Sequence, residues 1–225
     1  MADNNWTPDT AFEVNVSKDS FQFNAAHFVA FNGFRERLHG HNYKLSVRIL
    51  GNRKISHDGY LLDFGDLKKV VKEFCKSINE HFICPMYSDV ITITEDESGG
   101  NVNLLCQDGA KFSFPKGDCI MLPIVHSTVE ELAIYCWGNI VHKLDAELLV
   151  ERGIHTLEVT CAEATGQEAL FRMKIPETND RDYISEACDV RSYIKTGKLF
   201  PKPCLPVGKE SNKETTCACC QHCGK

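Results

Sequence analysis

The 225-residue chain lacks several features, and each absence narrows its class. No apolar run approaches the roughly 20 residues that a membrane-spanning helix needs. The opening residues, MADNNWTPDT, are polar and acidic. They lack the basic-then-apolar layout of a secretory signal. Positive charge is in deficit: 25 Lys and Arg stand against 31 Asp and Glu, for a formal net charge of -6. A phosphate backbone is bound by a basic face, so nucleic acid is not the expected partner. Nor is a membrane. Cysteine, by contrast, is plentiful, with 12 in the chain. Without an export signal these read as reduced thiols, and a cytoplasmic location is expected. Cys75, Cys136 and Cys161 sit in apolar surroundings, where a free thiol behaves as a small hydrophobe.

Hydrophobic periodicity gives the order of elements. AFEVNV and SFQFNAAHF read as two early strands, with Phe21, Phe23, Ala25 and His27 sharing a face. HNYKLSVRIL puts His41, Tyr43, Leu45, Val47 and Ile49 on one side, and GNRKISHDG reads as a turn. From Asp63 to His81 the period lengthens, and Leu67, Val70, Val71, Phe74, Cys75 and Ile78 fall at helical spacing. A second helix begins in HSTVEELAIYCWGNIVHKL, where Thr128 and Glu131 have the spacing of a capping box. IHTLEVTCAEATGQEALFRM returns to strand character. This order predicts an α+β fold: an antiparallel sheet with two helices packed on one face. Residues of about 86–126 read as an inserted β-meander, through DVITIT, NVNLLCQ and AKFSFP. The expected domain is therefore 1–177, followed by a mostly disordered Lys/Pro/Cys-rich tail over 178–225. In that tail Cys217, Cys219, Cys220, Cys223 and His222 have ligand chemistry. They lack the separated second pair of a zinc ribbon, so a tail without a metal role is the default.

His39 and His41 project from one face of a strand, and His27 lies on a neighbouring strand. Three converging imidazoles suit Zn²⁺, which binds nitrogen at about 2.0–2.1 Å. Three protein ligands with a fourth position open is the catalytic arrangement. An H-x-H pattern alone is a weak signal, and ordinary hydrogen-bonded histidines are the alternative.

The surrounding motifs are more specific. FNAAH, LHGHNYKLSVRILG, GYLLDFGDLKKVV, NEHF, STVEELA and VTCAEATGQEALF stand in this order. The chain thereby resembles the 6-pyruvoyltetrahydropterin synthase / 6-carboxytetrahydropterin synthase family from about Phe21 to Phe171, interrupted by the meander. The resemblance implies the tunnelling fold, in which subunits join their sheets into barrels. It also implies a homo-oligomer, trimer or hexamer, with active sites between subunits.

Residue by residue, the resemblance makes His27, His39 and His41 the ligands of a Zn²⁺ cofactor. Glu163 matches the pterin-anchoring carboxylate, which would accept the pterin's amino group and ring N–H side by side. Thr128 and Glu130 match a T-x-E at the second helix, to contact the pterin edge or, for Thr128, simply to cap the helix. His81 matches the catalytic histidine, with Glu80 where the family has Asp, to fix its tautomer. Asp63 reads mainly as a helix N-terminal residue.

The family pattern breaks at one point. Typical members carry a cysteine shortly before H-G-H, and its thiolate is the base. Here FRER occupies that stretch, and no cysteine lies between His27 and His41. Glu36 is the side chain able to accept a proton there, unless it only pairs with Arg35 or Arg37. A subgroup with this E-x-x-H-G-H pattern resembles enzymes that cleave the pterin side chain for folate synthesis. Arg35, Arg37 and Lys44 would meet a triphosphate or remain exposed charges.

The implied function is a zinc-dependent lyase acting on 7,8-dihydroneopterin triphosphate. Triphosphate elimination of the 6-pyruvoyltetrahydropterin type, towards tetrahydrobiopterin, is the leading expectation. The alternatives are side-chain cleavage to 6-hydroxymethyl-dihydropterin, 6-carboxytetrahydropterin formation, or a non-catalytic pterin-binding protein.

Overall fold

The computed structural model describes residues 10–52 and 55–194. The elements are β1 (Phe12–His27), β2 (Ala30–Phe31), β3 (Phe34–Arg35), β4 (His39–Gly51), α1 (Phe64–Ile78), β5 (His81–Pro85), β6 (Ile91–Glu95), β7 (Asn101–Cys106), β8 (Lys111–Pro115), β9 (Cys119–Leu122), α2 (Val129–Leu144), α3 (Ala146–Glu151), β10 (Ile154–Ala164), β11 (Gln167–Lys174) and α4 (Arg181–Ala187).

The main sheet has the order β11-β10-β4-β1-β5-β9. Its β1, β4, β10 and β11 are antiparallel, as the hairpin-like spacing predicts. Two expectations change here. The two early strands are one continuous strand, β1. Its register against β4 slips between Ser17 and Gln22, so KDSF bulges without ending the ladder. The sheet is also mixed rather than wholly antiparallel, because β5 runs parallel to β1 and β9 parallel to β5. Helix α1 supplies the crossover that a parallel entry requires. Residues 119–122 therefore belong to the main sheet, and the inserted sheet is β6-β7-β8.

Helix α1 starts where Asp63 accepts from the Gly65 amide at 2.6 Å. It buries Leu67, Val71, Phe74, Cys75 and Ile78, one stripe at three- and four-residue spacing. Truncating Phe74 to Ala would cost about 3–5 kcal/mol. Helix α2 buries Leu132, Cys136, Ile140 and Leu144, the expected face, together with Trp137. The Trp137 indole N–H donates to the Leu157 carbonyl at 2.7 Å, which satisfies its only polar atom. The capping box at its start is half made. Thr128 Oγ1 accepts from the Glu131 amide at 3.5 Å. The Glu131 carboxylate instead accepts from the amides of Val125 at 2.7 Å and His126 at 3.0 Å.

Alternate residues of β1 and β5 face opposite sides. Ala25 and His27 look towards the helices. On the reverse side Phe28 and Phe82 join Phe112 and Phe114 of the inserted sheet in a second apolar cluster. The meander is thus fastened to the body by stacked rings.

The expected boundary at residue 177 is too early. Helix α4 follows, capped by Asp180, which accepts from the Tyr183 amide at 2.8 Å. Its Ile184 and the following Val190 are buried in the main core, and Ile194 packs against it. A seven-residue helix with one buried residue is hidden by polar composition, so ordered structure extends past residue 177. The cysteines from Cys217 onward lie outside the described residues. Among the described residues, no helix is long and apolar enough to cross a membrane.

Candidate active site

The site forms where β1 ends and β4 begins. The register pairs His27 with His39 and Ala25 with His41. Gly40 stands between the two histidines for a steric reason: a Cβ there would meet the Ala25 carbonyl oxygen at 3.1 Å. The three imidazoles converge, with ring centroids at 4.6 Å for His27–His39, 5.0 Å for His27–His41 and 4.8 Å for His39–His41. One ligand atom from each lies within 4.8 Å of the others.

Backbone carbonyls fix two of the tautomers. His27 Nδ1 lies 2.9 Å from Ser127 O, and His39 Nδ1 lies 2.8 Å from Arg37 O. A carbonyl oxygen only accepts, so each Nδ1 carries the proton and each Nε2 is left as a bare lone pair. Burial pushes the His27 pKa down. The Ser127 bond and the Glu163 charge pull it back up. His27 is 1% exposed, and its Nε2 has no hydrogen-bond partner.

Glu163, at the end of β10, brings a carboxylate to the same point. Its Oε1 is 3.4 Å from His27 Nε2 and 3.5 Å from His41 Nε2. With its Nε2 bare, the His27 contact is one of two electron-rich atoms rather than a hydrogen bond. The Tyr43 hydroxyl donates to the same oxygen at 3.4 Å. Burial first, and then the Glu163 charge, pushes the Tyr43 pKa well up, and Glu36 adds to the shift. Tyr43 is therefore a fixed neutral donor. Lone pairs and a carboxylate gathered without a cation repel one another, and a divalent metal relieves that repulsion. The nitrogen-rich donor set fits Zn²⁺.

Glu36 reaches the site from the β2–β3 hairpin. It does not pair its carboxylate with Arg35 or Arg37. Its Oε2 accepts from the Val29 amide at 3.0 Å, and its own amide donates to the Val29 carbonyl at 2.9 Å. Its charge is the smallest of the influences that raise the Tyr43 pKa. Arg35 is committed elsewhere, to Asp108 at 2.7 Å. Arg37 and Lys44 are exposed.

His81 joins the site across the sheet, because Ala25 pairs with His41 on one side and His81 on the other. Its Nδ1 is buried and has no hydrogen-bond partner. The expected support from Glu80 is not formed. Glu80 has φ of 61°, a left-handed conformation that turns its side chain out to solvent. Among the described residues its side chain makes no hydrogen bond, while its amide donates to Asn24 O at 2.7 Å. Thr128 is used as the cap of α2. Glu130 is exposed in the first turn, with no side-chain hydrogen bond among the described residues.

Sequence reasoning missed two residues. Ser127 is 1% exposed; its carbonyl orients His27 and its hydroxyl donates to Phe28 O at 2.9 Å. Tyr43 orients Glu163, and the alternation His39, His41, Tyr43 already placed it on the site's face. Among the described residues, no thiol near this site is poised to ionise. Cys161 is buried, and burial, then Glu163, holds its thiol far above the usual range; burial pushes the Cys75 thiol up to about 12.

The 6-pyruvoyl tetrahydropterin synthase family model matches residues 15–174. The chain belongs to this family. A 6-pyruvoyl tetrahydropterin synthase structure from Plasmodium falciparum superposes with a TM-score of 0.71 at 42% identity, covering 74% of this chain and 100% of that one. A Plasmodium vivax 6-pyruvoyltetrahydropterin synthase superposes at 0.70 with 43% identity, covering 73% and 98%. The latter is a variant in which a glutamate described as catalytic is replaced by alanine. A Methanocaldococcus jannaschii protein, provisionally named a 6-carboxy-5,6,7,8-tetrahydropterin synthase, is 30% identical over 160 residues, 71% of this chain and 94% of its own length. The fold is the family's tunnelling fold. Family membership makes the chain a pterin-synthesising enzyme with lyase-type chemistry.

Proposed function

We propose that the chain is a zinc-dependent lyase that takes 7,8-dihydroneopterin triphosphate and cleaves its side chain between C1′ and C2′. The products are 6-hydroxymethyl-dihydropterin and glycolaldehyde triphosphate. The observation that carries this reading is Glu36, a carboxylate held by the Val29 amide, where typical members use a thiolate. The Plasmodium vivax relative, with its catalytic glutamate, supports the same role for Glu36 here.

His27, His39 and His41 would hold the metal through the Nε2 atoms of His27 and His39 that the carbonyl bonds leave bare, with His41 completing the set. When bound, Zn²⁺ supplies Lewis acidity to the side-chain hydroxyls of the substrate. Glu163, steadied by Tyr43, accepts the pterin's amino group and ring N–H. Glu36 takes the proton of the C2′ hydroxyl. The C1′–C2′ bond breaks, its electron pair passes into the pterin ring, and C2′ leaves as an aldehyde. His81, on the strand beyond Ala25, returns a proton to C1′. The proton removed in cleavage sits on oxygen, where a carboxylate exchanges it readily. Elimination would require removal of protons from carbon, the task of the thiolate in typical members.

Elimination to the 6-pyruvoyl product is the second reading, and the names of the Plasmodium relatives favour it. A homo-oligomer, trimer or hexamer, is proposed with both readings; β11 and β9 are the edges of the main sheet in the chain, open to pairing with another copy. The purified protein is incubated with 7,8-dihydroneopterin triphosphate, and both products are identified by mass. Glycolaldehyde triphosphate with the hydroxymethyl pterin supports cleavage. Inorganic triphosphate with the pyruvoyl pterin moves the assignment to elimination, a 6-carboxy pterin replaces both, and unchanged substrate sinks every catalytic reading.

A further inference from the structure

The inserted sheet meets the hairpin that carries Glu36 through specific polar contacts. The turn joining β7 to β8 carries Gln107, Asp108 and Gly109. Gln107 grips the tip of the β2–β3 hairpin with both ends of its amide. Its Nε2 donates to Asn32 Oδ1 at 2.9 Å, and its Oε1 accepts from the Gly33 amide at 3.0 Å. Gly33 has φ of +83°, so the tip is a tight left-handed turn whose exposed amide needs an acceptor.

Asp108 grips the other end of the same hairpin. Its Oδ2 accepts from Arg35 Nε at 2.7 Å, and its Oδ1 accepts from the Ala110 amide at 3.1 Å, which fixes the turn itself. The Arg35 guanidinium lies over the Phe112 ring at 5.5 Å and the Phe28 ring at 5.7 Å. Its Nη1 donates to the Glu36 carbonyl at 2.8 Å. A planar cation held by a carboxylate and two aromatic faces is a stiff strut. It ends on the backbone of the residue assigned as the base.

The geometry points to the β7–β8 turn as a clasp that positions Glu36, with Asp108 and Gln107 as positioning residues for the reaction. The inference rests on Glu36 being the base. The chain of contacts is short: Asp108 holds Arg35, Arg35 holds the Glu36 carbonyl, and the paired Val29 bonds then set the carboxylate. Gln107 prevents the hairpin tip from swinging. A base must sit within hydrogen-bond reach of the proton it takes, and a displacement of about 1 Å can cost about 100-fold in rate. The insertion therefore has a catalytic reason to be there. The aromatic rings beneath it secure the sheet to the body, so loss of one polar contact leaves the fold intact.

The test uses the full-length protein. Asp108→Ala and Gln107→Ala are expected to lower kcat about 10-fold or more each, with KM for 7,8-dihydroneopterin triphosphate within about 3-fold. Asp108→Glu, which keeps the charge, recovers most of the loss. In the Glu36→Gln background Asp108→Ala should lower kcat no further, because both changes then act on one missing group. Hydrogen exchange at the Val29 and Glu36 amides should accelerate about 10-fold or more in Asp108→Ala. Unchanged exchange and unchanged kcat overturn the clasp. Additive losses in the Glu36→Gln background overturn it also. If exchange accelerates but Glu36→Gln retains full kcat, the base assignment has failed and the clasp has not.

Discussion

Val29 and Glu36 hold each other twice: the Glu36 amide donates to the Val29 carbonyl at 2.9 Å, and the Val29 amide donates to Glu36 Oε2 at 3.0 Å. The first bond closes the hairpin. The second fixes the carboxylate that the hairpin presents.

That pairing makes Glu36→Gln an informative change. The glutamine oxygen can still accept from Val29, so the loop keeps its shape while the base is lost. The expected result is a fall in kcat of about 100-fold or more, with the melting temperature within a few degrees of the parent. Steady-state kinetics beside a thermal melt read both. Full activity in the variant would remove Glu36 from the mechanism.

The tautomer-locked histidines predict metal content. Metal analysis of the purified protein should find about one zinc per chain, and His27→Ala should bind none. A chelator should abolish turnover, and added Zn²⁺ should restore it. Undiminished turnover by a preparation that analysis shows to be metal-free would disprove the requirement.

Glu163→Gln keeps the size of the pterin anchor but replaces one acceptor with a donor. The pterin's amino group and ring N–H then cannot both be accepted. Affinity for a plain pterin should fall about 10- to 100-fold by calorimetry, the worth of about one charged hydrogen bond. An unchanged dissociation constant would place the anchor elsewhere.

Stability should decline on the alkaline side. Burial pushes the Cys75 thiol up to about 12, whereas the exposed thiol of the unfolded chain ionises near 9. The folded state thus holds its proton where the unfolded state releases it. The contribution is complete below about pH 9 and is lost as pH rises towards 12. Melts of the parent and of Cys75→Ala between pH 8 and about 11 compare the two slopes. The variant, which has no thiol to titrate there, should give the flatter one. Equal slopes would show that the buried thiol does not drive the decline.

Local patterning made much of this legible. Strict alternation through His39, His41, Tyr43 and Leu45 gave the strand and its face, because a half-buried strand leaves a period of two. The stripe from Leu67 to Ile78 gave α1 for the equivalent helical reason. The features that escaped depend on partners that local periodicity does not reveal, most of them distant in sequence. Parallel pairing of β5 to β1 involves residues more than 50 positions apart, and nothing in HFICP announces its neighbour. Glu131 has the spacing of a capping box, but the nearby amides of Val125 and His126 compete for its carboxylate and win. Ser127 looked like a mere neighbour of the cap, although its main-chain oxygen decides which nitrogen of His27 is bare. The strut at Arg35 joins residues 73 apart, so FRER alone left open whether Arg35 meets a triphosphate or stays exposed.

One consequence concerns the smallest side chain in the site. Ala25 lies between His41 and His81 in the strand register and is 5% exposed. A single buried methyl group therefore stands where the register brings the two flanking histidines together. Enlarging it to valine would crowd the space between His41 and His81 without removing any ionisable side chain. The smallest side chain in the register is thus what lets the two histidines face each other across one strand.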